Sequence, residues 1–219
     1  MTDSEEKTYW HDFIDGDLDA LSLLFLHNAR RLFSYGMKIC RDKELVKDSI
    51  QEVFIRLIQK RCRLNSESNV KGLVYRLLRN ELIDGIKRNN SSRKFDNLFF
   101  SPNSYFETDA EHQFIGIEEE MIRNNQLTLA LEQLSAHQKE AMYLKYAEGL
   151  TYEQIAEVLG ISVPSTRTLI YRTLGQMKNF ITRELKTGAD TPKRPCKVLT
   201  HLNDQIILEF GHPIQQKQT

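Results

Sequence analysis

The sequence predicts an all-α protein, two small helical domains joined by a flexible linker. Three observations predict it. Apolar residues recur at helical spacing before Asn89 and again between Gln126 and Leu185. The stretch between them keeps no such period; it opens with Asn89, Asn90, Ser91 and Ser92 and contains Pro102. Finally, Thr151–Leu174 reads as two short helices about a glycine turn, a helix-turn-helix.

The elements follow in order. From about Tyr9 to Cys40, Phe13, Leu18, Leu21, Leu24, Phe25, Ala29, Leu32, Phe33 and Met37 suit a short helix followed by a long one. The next helix runs from about Lys43 to Lys60, with Val46, Ile50, Val53, Phe54, Leu57 and Ile58 on its buried face. A polar loop, Arg61–Asn69, breaks the pattern. The following helix covers about Val70 to Lys87, with Leu73, Val74, Leu77, Leu78, Leu82 and Ile86 inward. These elements give a first domain over residues 1–89, a linker over 90–125, a second domain over 126–185 and a C-terminal extension over 186–219. In the extension, two apolar runs flank Asn203-Asp204; a small hairpin, a helix or a segment that folds on binding all fit them.

Bulk composition sets looser bounds. Thirty basic and thirty acidic residues cancel, so net charge gives no hint of nucleic acid. The distribution does: Lys60–Lys94 is strongly basic, whereas Phe95–Glu120 holds acids and no Lys or Arg. Three scattered cysteines make neither a metal-ligand spacing nor a disulfide framework, and no nucleophile–base pair stands out. No catalytic residue, metal or cofactor is therefore expected. The acidic N-terminus lacks a signal core and no run reaches membrane-spanning length, so a cytoplasmic protein without membrane insertion is expected.

The helix-turn-helix carries the clearest chemistry. Thr151 and Gln154 form a capping box, Gly160 suits the left-handed end of the first helix, Ser162 caps the second, and Pro164 falls in its first turn. Ile170, Leu174, Met177 and Ile181 share the inner face. Ser165, Thr168 and Arg172 lie opposite, flanked by Arg167 and Tyr171, and such side chains bond bases and phosphates in a major groove. An ordinary helical hairpin with a solvated face is the competing reading.

Two faces of the N-terminal domain stand out. Asp48, Gln51, Glu52 and Ile55 share the side of their helix opposite the apolar stripe. An isoleucine among acids and an amide suits a protein-binding face, although from spacing alone a solvated face is the preferred reading. The next helix presents Lys71, Arg76, Arg79, Lys87 and Arg88, with Tyr75 and Asn80 among them. Cations hold phosphates and an aromatic ring can stack on an unpaired base, which favours single-stranded DNA. The preceding loop adds Arg61, Arg63, Asn65 and Asn69 as donors and acceptors for a base edge.

Together these motifs resemble bacterial sigma factors of the extracytoplasmic-function group. Lys43–Lys60 resembles their polymerase-binding helix through Asp48, Gln51, Glu52 and Phe54. Asn69–Arg88 resembles the promoter-melting helix through Asn80, Asp84 and Arg88, and Leu131–Leu174 is similar to the C-terminal sigma domain. The resemblance covers roughly Asp12 to Leu185. It implies a sigma domain 2-like fold, then a sigma domain 4-like helix-turn-helix. It implies core RNA polymerase as partner through Asp48, Gln51, Glu52 and Ile55. The helix-turn-helix would read a duplex −35 element. The basic helix and its loop would open a −10 element and hold one flipped base. An anti-sigma factor, in many relatives at the inner membrane, is a further implied partner. Leu73, Leu169 and Val163-Pro164 depart from common family residues, so no promoter sequence carries over. A helix-turn-helix repressor or activator is the alternative function, and an interaction protein of anti-sigma type is a third.

Overall fold

A computed structural model describes residues 2–65, 69–89 and 127–187. The sequence readings for the linker and the C-terminal extension lie outside the described residues. Every regular element among the described residues is helical. The chain divides into two compact units. The first comprises Met1–Ser101 with Tyr143–Val163, and the second comprises Pro102–Met142 with Pro164–Thr219.

In the first unit the helix ends are written locally. α1 (Asp3–Asp15) starts at Thr2, whose hydroxyl accepts from the Glu5 amide while the Glu5 carboxylate accepts from the Thr2 amide. α2 (Leu18–Ile39) is capped by Asp17, and α3 (Lys43–Gln59) by Asp42, each through a carboxylate that takes two amide donors. A single 3-10 turn, Arg61–Arg63, follows α3 inside the expected polar loop. α4 (Val70–Asn89) then runs through the basic segment. At its start Asn69 acts as a cap, its side-chain oxygen accepting from the Gly72 amide.

The core of these four helices is the apolar set that the period marked. Phe13, Leu21, Leu24, Leu32, Val46, Ile50, Val53, Phe54, Leu57, Val74, Leu78, Leu82 and Ile86 are all buried. Each such side chain contributes roughly 1.5–3 kcal/mol on burial. Phe25 meets Phe54 edge-on at 4.9 Å between centroids, locking α2 to α3. Seven expected core positions differ. Leu18 is exposed because it follows the Asp17 cap directly, before the helix turns inward. Ile58 is exposed because it sits at the edge of the stripe that Val46, Ile50, Val53 and Leu57 define. Phe25, Ala29, Phe33, Met37 and Leu77 are only half-buried.

Tyr143–Ala147 forms a π-helical turn, after which α6 (Tyr152–Leu159) begins. Thr151 and Gln154 make the expected capping box at its start. Gly160 ends it at φ 67°, a left-handed conformation that a residue with a Cβ adopts at a cost. Within the first unit α6 packs on α4.

The second unit holds a helical turn at residues 127–132, α5 (Ala136–Met142) and α7 (Val163–Thr187) from Pro164 onward. Ser135 and Gln138 bond reciprocally at the start of α5. Ala130, Leu131, Leu134, Ala141, Ile170, Leu174, Met177 and Ile181 are buried, as the inner face of α7 required. Gln176 ties α7 to this unit, donating to the Gln133 carbonyl and accepting from Gln138.

Candidate polymerase and nucleic-acid interfaces

On α3 the outward face forms as its spacing required. Asp48, Gln51 and Ile55 are exposed, and Glu52 is half-buried. Ile55 and Ile58, three residues apart, are 46% and 47% exposed. Two large apolar side chains left in water beside carboxylates suit a surface that another protein covers. Glu52 is held in place by Arg56, whose Nε lies 2.8 Å from its carboxylate. Arg56 also reaches Glu81 on α4 at 2.6 Å, and Glu81 in turn takes Arg88 at 2.9 Å. Glu52, Arg56, Glu81 and Arg88 thus form one ionic ladder from the α3 face to the end of α4.

Glu81 was not singled out by sequence, yet it is 5% exposed and fixes two arginines. Its position was a readable signal. It lies between Leu78 and Leu82, on the face that the helical period turns inward. An acid there needs cationic partners, because an unpaired buried charge costs several kcal/mol, on the order of 3–5 when one partner is removed.

The residues assigned to single-stranded DNA separate into three groups. Arg63, Asn65, Asn80, Lys87 and Arg88 are exposed, Arg88 while paired with Glu81. Arg61, Lys71 and Arg79 are half-buried. Asn69, Tyr75 and Arg76 are engaged by residues of the Tyr143–Val163 segment in the same unit. Asn69 accepts from Gln154 at 2.6 Å, and Arg76 lies 3.6 Å from Glu157.

Tyr75 corrects the expectation of an open stacking ring. It is 1% exposed, its ring centroid lies 5.1 Å from that of Tyr35, and its hydroxyl donates to Glu148 at 2.5 Å. Burial, then the neighbouring Glu148 charge, pushes its phenol far above the usual range. The cause was legible, since Tyr75, Leu78 and Leu82 share one face at helical spacing. Glu148 itself is buried and also pairs with Arg31 at 3.1 Å. Nothing in the local sequence marks that partnership, because its members lie far apart along the chain.

The outer face of α7 matches the expectation. Ser165, Arg167, Thr168 and Arg172 are exposed and Tyr171 is half-buried. Thr168 donates to the Pro164 carbonyl at 2.9 Å, closing the first turn, where Pro164 has no amide to lose. Thr166 and Thr173, one residue from this face, are fully buried and mark its boundary. The surface offers two guanidinium groups, two hydroxyls and a phenol along one side of a helix. That set can bond phosphates and base edges.

Among the described residues no group of three or more His, Cys, Asp or Glu is placed to hold a metal ion. No described helix is long and apolar enough to cross a membrane.

Comparison with known proteins agrees in both parts of the chain. Residues 24–92 match the family model for sigma-70 region 2, and residues 124–177 match that for sigma-70 region 4. The chain is 24% identical over 140 residues to the RNA polymerase sigma factor SigZ of Bacillus subtilis, covering 64% of this chain and 74% of that one. It is 23% identical over 172 residues to the ECF RNA polymerase sigma factor SigE of Mycolicibacterium smegmatis, covering 77% and 64%. It is 22% identical over 168 residues to the ECF RNA polymerase sigma factor SigM of Bacillus subtilis, covering 76% and 96%. Among solved structures, the fold is similar to CnrH in complex with the cytosolic domain of CnrY, at TM-score 0.52 and 15% identity over 82% of this chain and 99% of that one. It is also similar to the sigma factor RpoE in complex with the anti-sigma factor NepR from Bartonella quintana, at TM-score 0.51 and 18% identity over 74% and 96%.

Proposed function

Because this chain belongs to the extracytoplasmic-function group of the sigma-70 family, and directs promoter-specific transcription initiation by binding core RNA polymerase, we propose how its surfaces divide that work. Residues 1–89 form the domain that docks on the polymerase and opens the −10 element. Residues 126–185 form the domain that reads the −35 element.

Asp48, Gln51, Glu52 and Ile55 of α3 make the polymerase contact. The exposed isoleucine supplies apolar area, while the carboxylates select a basic partner and suppress others. Arg61, Arg63, Asn65, Asn69 and Lys71 serve the −10 element, with Arg76, Arg79, Asn80, Lys87 and Arg88. Cations hold the backbone, whereas Asn65 and Arg63 on the loop meet an extruded base. Ser165, Arg167, Thr168, Tyr171 and Arg172 of α7 enter the major groove at −35. Specificity arises from holding two DNA elements at once, and the polymerase performs the chemistry.

The reading rests chiefly on one observation. The chain matches region 2 and region 4 in that order, and each match carries an exposed face of the required chemistry, on α3 and on α7. We further propose an anti-sigma factor as regulator, as in the complex of RpoE with the anti-sigma factor NepR to which the fold is similar. The chain then acts in the cytoplasm, held at the inner membrane where its regulator is anchored there.

Site-specific photocrosslinking in the holoenzyme on promoter DNA tests the division. A photoreactive residue at Gln51 should label a polymerase subunit, and one at Thr168 should label duplex DNA near −35. Labelling of DNA from Gln51, or of polymerase alone from Thr168, would reverse the assignment.

A further inference from the structure

The loop between α3 and α4 is held by a helix to which the sequence pattern assigned no functional part. α1 buries Trp10 at 1% exposure and Phe13 at 0%. A buried indole N–H is a donor only and must find an acceptor. Here it donates to the main-chain carbonyl of Asn65 at 3.2 Å, far along the chain and inside the exposed loop. A second contact lies at the C-cap of α1. Gly16 adopts φ 125°, and a Cβ placed there would lie 2.6 Å from Nη1 of Arg61. The Arg61 guanidinium therefore lies against the bare glycine backbone. Any side chain at Gly16 would be strained and would displace the guanidinium end of Arg61.

The two contacts fall at opposite ends of one short segment. Arg61 opens the 3-10 turn, and Asn65 follows its last residue, Arg63, and its C-cap, Leu64. Between these two contacts Arg63 stands exposed.

We propose that Trp10 and Gly16 are positioning residues for −10 recognition, Trp10 fixing the Asn65 backbone and Gly16 leaving room for the Arg61 guanidinium, so that Arg63 and Asn65 meet the extruded base in a preset geometry. The proposal rests on the assignment of that loop to base capture. Neither Trp10 nor Gly16 touches DNA; both act through the loop. A loop already ordered by folding does not lose that backbone entropy again when it closes on a base. Discrimination at a single base needs such order, because a loose loop can satisfy a wrong base by shifting.

The test uses holoenzyme assembled from the full chain and core polymerase. The probe is a promoter identified by sequencing the transcripts this holoenzyme starts, together with single-base substitutions across its −10 element. The readout is the ratio of initiation on the intact template to that on each substituted one. That ratio does not depend on how much of the protein is folded. Trp10→Phe keeps an aromatic ring in place and removes the donor. It should lower the ratio at the captured base about fivefold, the equilibrium worth of one hydrogen bond. Gly16→Ala should lower the same ratio through Arg61.

A merely structural Trp10 would reduce initiation on all templates alike and leave the ratio unchanged; that result overturns the proposal. Arg63→Ala and Asn65→Ala separate the two layers of the argument. If they lower the ratio while Trp10→Phe and Gly16→Ala do not, the brace is wrong and the loop assignment stands. If they leave it unchanged, the loop assignment falls and the proposal falls with it. Should Trp10→Phe fail to fold, Gly16→Ala alone decides.

Discussion

Substituting Glu81 by Ala should destabilise the N-terminal helices and loosen the polymerase-binding face together. Glu81 is buried, and Arg56 and Arg88 reach it at 2.6 and 2.9 Å. A charge pair at about 4 Å is worth roughly 4 kcal/mol at an effective dielectric near 20. Both arginine side chains are substantially exposed, at 41% and 68%, so water screens much of this and re-solvates them once the carboxylate is gone. The surviving cost is about 2 kcal/mol, mainly the lost charge-assisted hydrogen bonds. For a chain of this size that corresponds to a fall in Tm of roughly 4–8 °C. Trp10 is the single tryptophan and lies buried in the same unit, so its fluorescence reports the transition. A double-mutant cycle with Arg56→Ala isolates the pair, with an expected coupling of about 1 kcal/mol. Because Arg56 also holds Glu52, Glu81→Ala should weaken polymerase binding more than its distance from the α3 face suggests. A Tm within a degree or so of the parent, with no coupling to Arg56, would refute the ladder.

Further outcomes follow from the same geometry. Charge reversal at Asp48 and Glu52 should weaken assembly with core polymerase, measured by analytical gel filtration, and leave −35 DNA binding by the full chain unchanged; an equal loss of both would mean that α3 is not the docking face. Arg167→Ala and Arg172→Ala should each weaken −35 binding by about 1–3 kcal/mol if they read bases, or lower the salt slope by about one if they hold phosphates. Fluorescence anisotropy across a salt series distinguishes these, and an unchanged curve would remove them from the interface. Cys62 is exposed and Cys40 buried, and burial raises the Cys40 thiol above its ordinary value. Since the thiolate is the reactive form, alkylation near neutral pH should label Cys62 first, and Cys40 should respond only as pH rises past the usual thiol range. Equal labelling rates by mass spectrometry would contradict the burial of Cys40.

The parts of the structure that were legible in sequence are those whose causes are local. The helix-turn-helix boundaries follow from Thr151, Gln154, Gly160 and Pro164, each of which acts within a turn of its own position. The outer faces of α3 and α7 follow from period alone, and Asp48, Gln51, Ile55, Arg167 and Arg172 lie where it put them. Partnerships between distant residues were not legible. Trp10 with Asn65, Glu148 with Arg31 and Tyr75, and Gln154 with Asn69 depend on how helices meet, which no window of sequence encodes. Tyr75 falls between these cases. Its basic neighbours suggested an open surface, whereas its spacing from Leu78 and Leu82 already turned it inward. Composition marked the chemistry of that segment, and periodicity decided which atoms face water.

The most direct test of the central claim is transcription in vitro with core polymerase, this chain and a pool of genomic promoter fragments. Transcripts should start at a defined set of sites only when the chain is present, and base changes at either the −10 or the −35 element should abolish them. A chain that binds these fragments yet never raises specific initiation, or only lowers initiation by another holoenzyme, would contradict it.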